Sequence, residues 1–180
     1  MFKKCLVALA GAIAIGSPSP VMATGSFEDH QYLFRTLQAN GVTLTVNNHI
    51  HCRDGDASGV YHTRTGVLAI CQNNRQKAGE QVAWTQDDLD TLRHEAHHVV
   101  QDCIAGTIGD GELGLFFSVE GSWKEFVTSN LTEEEINWII NSYKEAGAST
   151  MIIAQELEAF AVAKSVSPRI IADKVNEVCR

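Results

Sequence analysis

Leu92-Arg93-His94-Glu95-Ala96-His97-His98-Val99-Val100-Gln101 is the stretch around which this chain is organised. It contains the pattern H-E-x-x-H, with His94 and His98 one helical turn apart and Glu95 beside the first. Residues four apart on an α-helix share a face, so both imidazoles can reach one metal ion. A zinc ion held there acidifies its bound water, and a glutamate next to the first histidine can take the proton. The flanks supply the helix that this pattern needs. Thr85-Gln86-Asp87-Asp88 is a capping-box-like start, and Asp87, Asp88 and Asp90 suit a helix N-terminus. From there Leu89, Leu92, Ala96, Val99, Val100 and Cys103 recur at helical spacing as one apolar face. At about 100° per residue, His94 and His98 fall roughly opposite it. A helix over residues 85–105 is therefore expected to bury one side in the core and turn its histidine side to a cleft. His97 lies outside the positions the pattern requires and has no expected catalytic role.

Towards the N-terminus, residues 27–40 read as a short helix, with Tyr32, Leu33 and Leu37 at helical spacing and Gly41 as its stop. Residues 41–46 are β-branched and alternate, which predicts a strand. Residues 47–59 are polar and irregular; they carry His49-Ile50-His51, read as a surface or edge pair because no third ligand is close by. Residues 60–64 predict a strand that turns at Thr65-Gly66 into another over 67–71. His62 reads as a strand-surface residue without a role. Residues 72–81 form a polar loop before the histidine helix. Beyond that helix, the four glycines of residues 106–114 predict a loop. The remainder is helical in pattern: residues 116–129, then 133–146 behind the capping box Thr132-Glu133-Glu134-Glu135, then 150–164. A last helix enters through Ser167-Pro168 and reaches Cys179. No repeat and no proline-rich linker interrupts this part, so residues 24–180 are expected to be a single domain.

Catalytic zinc usually takes three protein ligands and leaves one position for water. No histidine follows His98, so a downstream third histidine is excluded. The longer metzincin pattern fails too, with Gln101 in place of glycine and Ile104 in place of histidine. A carboxylate has to serve. Glu156 stands out, because its helical neighbours Ile152, Ile153, Phe160 and Ala163 are apolar. An ionised carboxylate on such a face is costly unless it is paired or bound to a metal. Glu158, flanked by Ala154, Gln155, Ala161 and Val162, is the weaker choice.

H-E-x-x-H followed by Glu156-Leu157-Glu158-Ala159 on a later helix resembles the gluzincin zinc peptidases, the group that includes thermolysin. In many of them the later helix carries Glu-x-x-(small)-Asp, the glutamate binding zinc and the aspartate supporting the first histidine. Phe160 stands where that aspartate would be, which leaves the supporting partner of His94 unassigned. The resemblance covers two short motifs and a strand-then-helix order. It implies that His94, His98 and Glu156 bind zinc and that Glu95 activates water. It also implies that the strand ahead of the active helix, residues 67–71, offers an edge to an extended peptide. A tyrosine or histidine stabilises the developing oxyanion in that group. Tyr143 is a candidate, but it reads as core with Ile136, Ile139 and Ile140 and is left out of the site.

Composition bounds the rest. The chain has 180 residues, 44% hydrophobic and 20% charged, the balance of an ordinary globular domain with room for a core. Its start is different: Lys3 and Lys4, an apolar run from Cys5 to Gly16, then Ser17-Pro18-Ser19-Pro20 and Val21-Met22-Ala23. That is a signal-peptide pattern over residues 1–23, and the apolar run is too short to span a bilayer. Losing residues 1–23 removes two lysines and moves the formal charge from −8 to −10. That acidity argues against nucleic acid or an anionic membrane as partner. Four cysteines remain, Cys52, Cys71, Cys103 and Cys179, an even number that in an exported protein reads as two disulfides. Of the three pairings, Cys52–Cys71 with Cys103–Cys179 is the one expected.

The expectation is thus an α+β, zincin-like chain: a small antiparallel sheet, then a mostly helical half, with zinc between the H-E-x-x-H helix and the Glu156 helix. The expected function is a secreted or periplasmic zinc metallopeptidase acting on a peptide or protein substrate. A non-catalytic zincin-like binding module, or a zinc hydrolase of another bond, is the alternative.

Overall fold

The computed structural model describes residues 25–52, 57–72, 82–117 and 120–179. It is α+β. In chain order come α1 (Phe27–Ala39), β1 (Thr43–Val46), β2 (Gly59–His62) and β3 (Val67–Ile70). They are followed by α2 (Gln86–Ala105), α3 (Glu120–Asn130), α4 (Glu133–Glu145), α5 (Thr150–Ser165) and α6 (Pro168–Val178). Capping boxes open α1 at Ser26/Asp29, α2 at Thr85/Asp88 and α4 at Thr132/Glu135, each satisfying N–H groups that the first turn leaves free. Pro168 occupies the first turn of α6 behind the Ser167 cap.

The sheet is mixed, where the sequence led us to expect an antiparallel one. Its order is β1-β3-β2: β2 pairs antiparallel with β3, and β1 pairs parallel with it, Thr43 opposite Val67 and Val46 opposite Ile70. The alternation of side chains is the same in both pairings, so the sequence could not separate them. The crossing after β1 decides the direction. The chain leaves β1 through Asn47, at φ 52°, and β2 begins at the same end of β3, with Val46 and Gly59 both paired to Ile70. Asn47 fixes that exit by accepting the Gln72 N–H at 2.8 Å and donating to the Gln72 carboxamide at 3.2 Å. The Cys52–Cys71 disulfide ties the crossing segment to the end of β3. A second correction follows. Residues 67–71 were expected to present a peptide-binding edge, but β3 is the central strand, with both edges bonded. The strand against the H-E-x-x-H segment is β2, where a Cβ on Gly59 would meet Thr91 Cγ2 at 2.5 Å and Glu95 Cγ at 3.0 Å.

Two cores organise the rest. One lies between the sheet, α1, α2 and α6 and holds Leu33, Leu37, Leu68, Ile70, Leu92, Val99, Ile171 and Val175. The other joins α3, α4 and α5 through Val127, Leu131, Ile139, Ile153, Leu157 and Ala161. Each large aliphatic side chain withdrawn from water here contributes about 1.5–3 kcal/mol before its ordering cost. Helix α5 belongs to both, giving Val162 to the first core and Leu157 to the second. Arg93, 1% exposed, bolts three helices together. Its Nε donates to the Ala163 carbonyl at 2.8 Å, and its guanidinium reaches His30 Nε2 at 2.9 Å and Asp90 Oδ1 at 2.8 Å.

The second expected disulfide is also present: Cys103–Cys179 fastens the end of α6 to α2. The first helix of the C-terminal part starts at Glu120 instead of residue 116. Phe116 and Phe117 are held as loop, because both of their N–H groups donate to the buried Glu158 carboxylate. The expected signal peptide lies outside the described residues.

Candidate metal centre

Helix α2 presents His94, Glu95 and His98, and α5 crosses it with Glu156. His94, His98 and Glu156 bring one nitrogen or oxygen each to within 4.8 Å of one another. The separations are 3.1 Å between the two Nε2 atoms, 3.3 Å from His94 Nε2 to Glu156 Oε2 and 3.5 Å from His98 Nε2 to Glu156 Oε1. Ligands about 2.0–2.1 Å from a tetrahedral ion lie roughly 3.3 Å apart, so the two Nε2 atoms and the Glu156 carboxylate already stand at such spacings. Two imidazoles and a carboxylate, all buried and all aimed at one point, fit a divalent metal ion. Of the two candidate carboxylates, Glu156 is the one that the fold brings to the two histidines.

The charges around this point are strongly coupled. Burial disfavours the Glu156 carboxylate, but the His98 and His94 rings outweigh it and hold its pKa well below the ordinary value. Burial would likewise lower His98; the Glu156 carboxylate, with Glu95 and Gln101 behind it, instead pushes it up to about 9. Burial pushes Glu95 up, against the pull of His94 and His98, and Glu156 adds to the rise. The backbone N–H of Tyr61 on β2 also rests on the Glu95 carboxyl. A carboxyl with a raised pKa, beside this cluster, is a stronger proton acceptor than an ordinary carboxylate.

Tyr143 on α4 was left as a core residue by the sequence. It is buried, and its hydroxyl also donates to Glu156 Oε2 at 2.7 Å, so it helps hold that carboxylate in place. Burial first, and then Glu156, raise the phenol well above its ordinary pKa, which keeps it a donor. The two histidines differ in their outer partners. His98 Nδ1 lies 2.8 Å from Gln101 Oε1, whereas His94 Nδ1 is buried with no hydrogen-bond partner among the described residues. Against His94 stands Phe160, its ring centroid 4.5 Å away, at the sequence position where an aspartate was missing. The histidine face does not line an open cleft as expected. His94, Glu95, His98 and Glu156 are each less than a tenth exposed, because α5 closes over that side of α2.

Glu158, the weaker candidate ligand, points elsewhere. It accepts from His97 Nε2 at 2.7 Å, from the Gln101 carboxamide at 3.0 Å and from the Phe116 and Phe117 N–H groups. His97, without a role in the sequence reading, is therefore half of a buried pair that anchors the 113–117 segment. His51 and His62 also proved to be neighbours, with ring nitrogens 2.8 Å apart. Gln101, Tyr143 and His97 were missed as site neighbours. For Gln101 a signal existed, since it follows His98 by three residues and so shares its helix face. Comparison with protein-family models, with curated proteins and with solved structures finds no match.

Proposed function

We propose that this chain is an exported zinc metallopeptidase of gluzincin-like design that cleaves peptide or protein substrates. One observation carries the reading: two helices converge His94, His98 and Glu156 on one point, with Glu95 pressed against the same cluster. Two histidines and a glutamate are a ligand set of catalytic zinc, which keeps a fourth position for the reaction. The ion, once bound, supplies Lewis acidity, lowering the pKa of a water and polarising a carbonyl oxygen. The protein supplies the proton chemistry and the orientation. Glu95 takes the proton that the attacking water gives up and passes it to the amine nitrogen as the carbon–nitrogen bond breaks. Tyr143 keeps Glu156 turned towards the histidines. Export accords with two disulfides, which persist in oxidising compartments.

A second reading, a non-catalytic metal-binding module, has one observation in its favour: the ligands are nearly enclosed. The Glu95→Gln variant separates the two. It keeps the shape of the side chain and loses the base, so zinc should stay bound at one per chain while hydrolysis falls by roughly 10²- to 10⁴-fold. His98→Ala and Glu156→Ala should lose zinc and activity together. A wild type that binds zinc but cleaves no peptide or unfolded protein would support the module. Full activity in Glu95→Gln would sink the mechanism, which has no other base.

A further inference from the structure

Gln101 is fully buried on α2, one turn beyond His98. Its carboxamide nitrogen lies 3.1 Å from the Gln155 carbonyl oxygen and 3.0 Å from Glu158 Oε1. Both are pure acceptors, so the nitrogen of the amide has to face them. Its oxygen is thereby turned to His98, 2.8 Å from Nδ1, and an amide oxygen can only accept. The ring must carry its hydrogen on Nδ1, which leaves Nε2 to face His94 and Glu156. Glu158 is in turn fixed by three donors besides Gln101: His97 Nε2 and the N–H groups of Phe116 and Phe117. The same segment is stitched to α2 by the Gly114 N–H on the Gln101 carbonyl at 2.8 Å, and to α5 by Gln155 on the Leu113 carbonyl.

We propose that Gln101, oriented by Glu158 and the 113–117 segment, is the positioning residue that selects the His98 tautomer and aims its Nε2 at the metal. This rests on the metal reading above. The relay serves one ligand only, since His94 Nδ1 has no such partner among the described residues. Outer partners of metal-binding histidines typically change affinity 10- to 100-fold when removed. Gln101→Met keeps the volume and removes the hydrogen bonds, so it should weaken Zn²⁺ binding by roughly that factor. Glu158→Ala, which frees the amide to turn over, should act in the same direction.

The test measures Zn²⁺ affinity by competition with a chromophoric chelator. It is paired with ¹⁵N-imidazole NMR of the zinc-loaded wild type, which needs no variant to fold. The expected spectrum has His98 protonated on Nδ1 and coordinated through Nε2. Coordination of His98 through Nδ1, or an unchanged affinity in folded Gln101→Met, overturns the relay and leaves the metal centre standing. A wild type that takes up no zinc overturns the metal centre itself, and the relay with it.

Discussion

His30 lies against the Ser26 carbonyl through Nδ1 at 2.8 Å and meets the Arg93 guanidinium through Nε2 at 2.9 Å. A carbonyl only accepts and a guanidinium only donates, so the ring is held neutral with its hydrogen on Nδ1. Burial lowers its pKa from 6.5, and Arg93 adds to the drop against the Ser26 contact. The sign of the consequence is fixed. The unfolded chain binds this proton near pH 6.5 and the folded chain only at lower pH, so stability is full above that value and is lost as pH falls below it. Melting temperature followed from pH 8 to pH 5 should drop in wild type, and the part due to this ring should vanish in His30→Gln. An identical slope in both would refute the assignment. The four positions of the candidate site, His94, Glu95, His98 and Glu156, were legible because each broke a local rule or fitted a helical spacing. His30, Gln101 and Tyr143 were not, because what defines them is a partner on another element.

At the scale of elements, helices were the readable part and pairings were not. Caps at Thr85, Thr132 and Ser167 marked three helix starts in advance, since a cap needs only residues a turn apart. The direction of β1 depends on its pairing with β3 and the loop state of Phe116 on Glu158, partners that lie well away in sequence. The disulfides connect elements over very different spans, 19 residues for Cys52–Cys71 and 76 for Cys103–Cys179. In the chain-entropy account these loops correspond to about 3 and about 4.5 kcal/mol of stabilisation. Replacing the Cys103/Cys179 pair by alanines should therefore lower the denaturation midpoint more than replacing Cys52/Cys71. Denaturant unfolding of the two double variants checks the order; the reverse order would mean that the crossing segment, not the anchored C-terminus, limits stability.

At the scale of the molecule, the metal centre sits on the seam between two cores that share α5. Binding there should act on the whole fold. With free Zn²⁺ at about a thousand times its dissociation constant, linkage gives about 4 kcal/mol. For a chain of this size that corresponds to a rise in melting temperature on the order of 10 °C. Adding a chelator to zinc-loaded protein should reverse it, and Glu156→Ala should show little response to either treatment. The position of α5 also sets a time at which the centre can exist. His94, Glu95 and His98 leave the ribosome well before Glu156. A growing chain that ends anywhere before α5 carries His94, Glu95 and His98 but not Glu156, and has no helix over them. The three-residue cluster is thus withheld from every nascent chain that stops short of α5 and exists only once that helix has closed over α2.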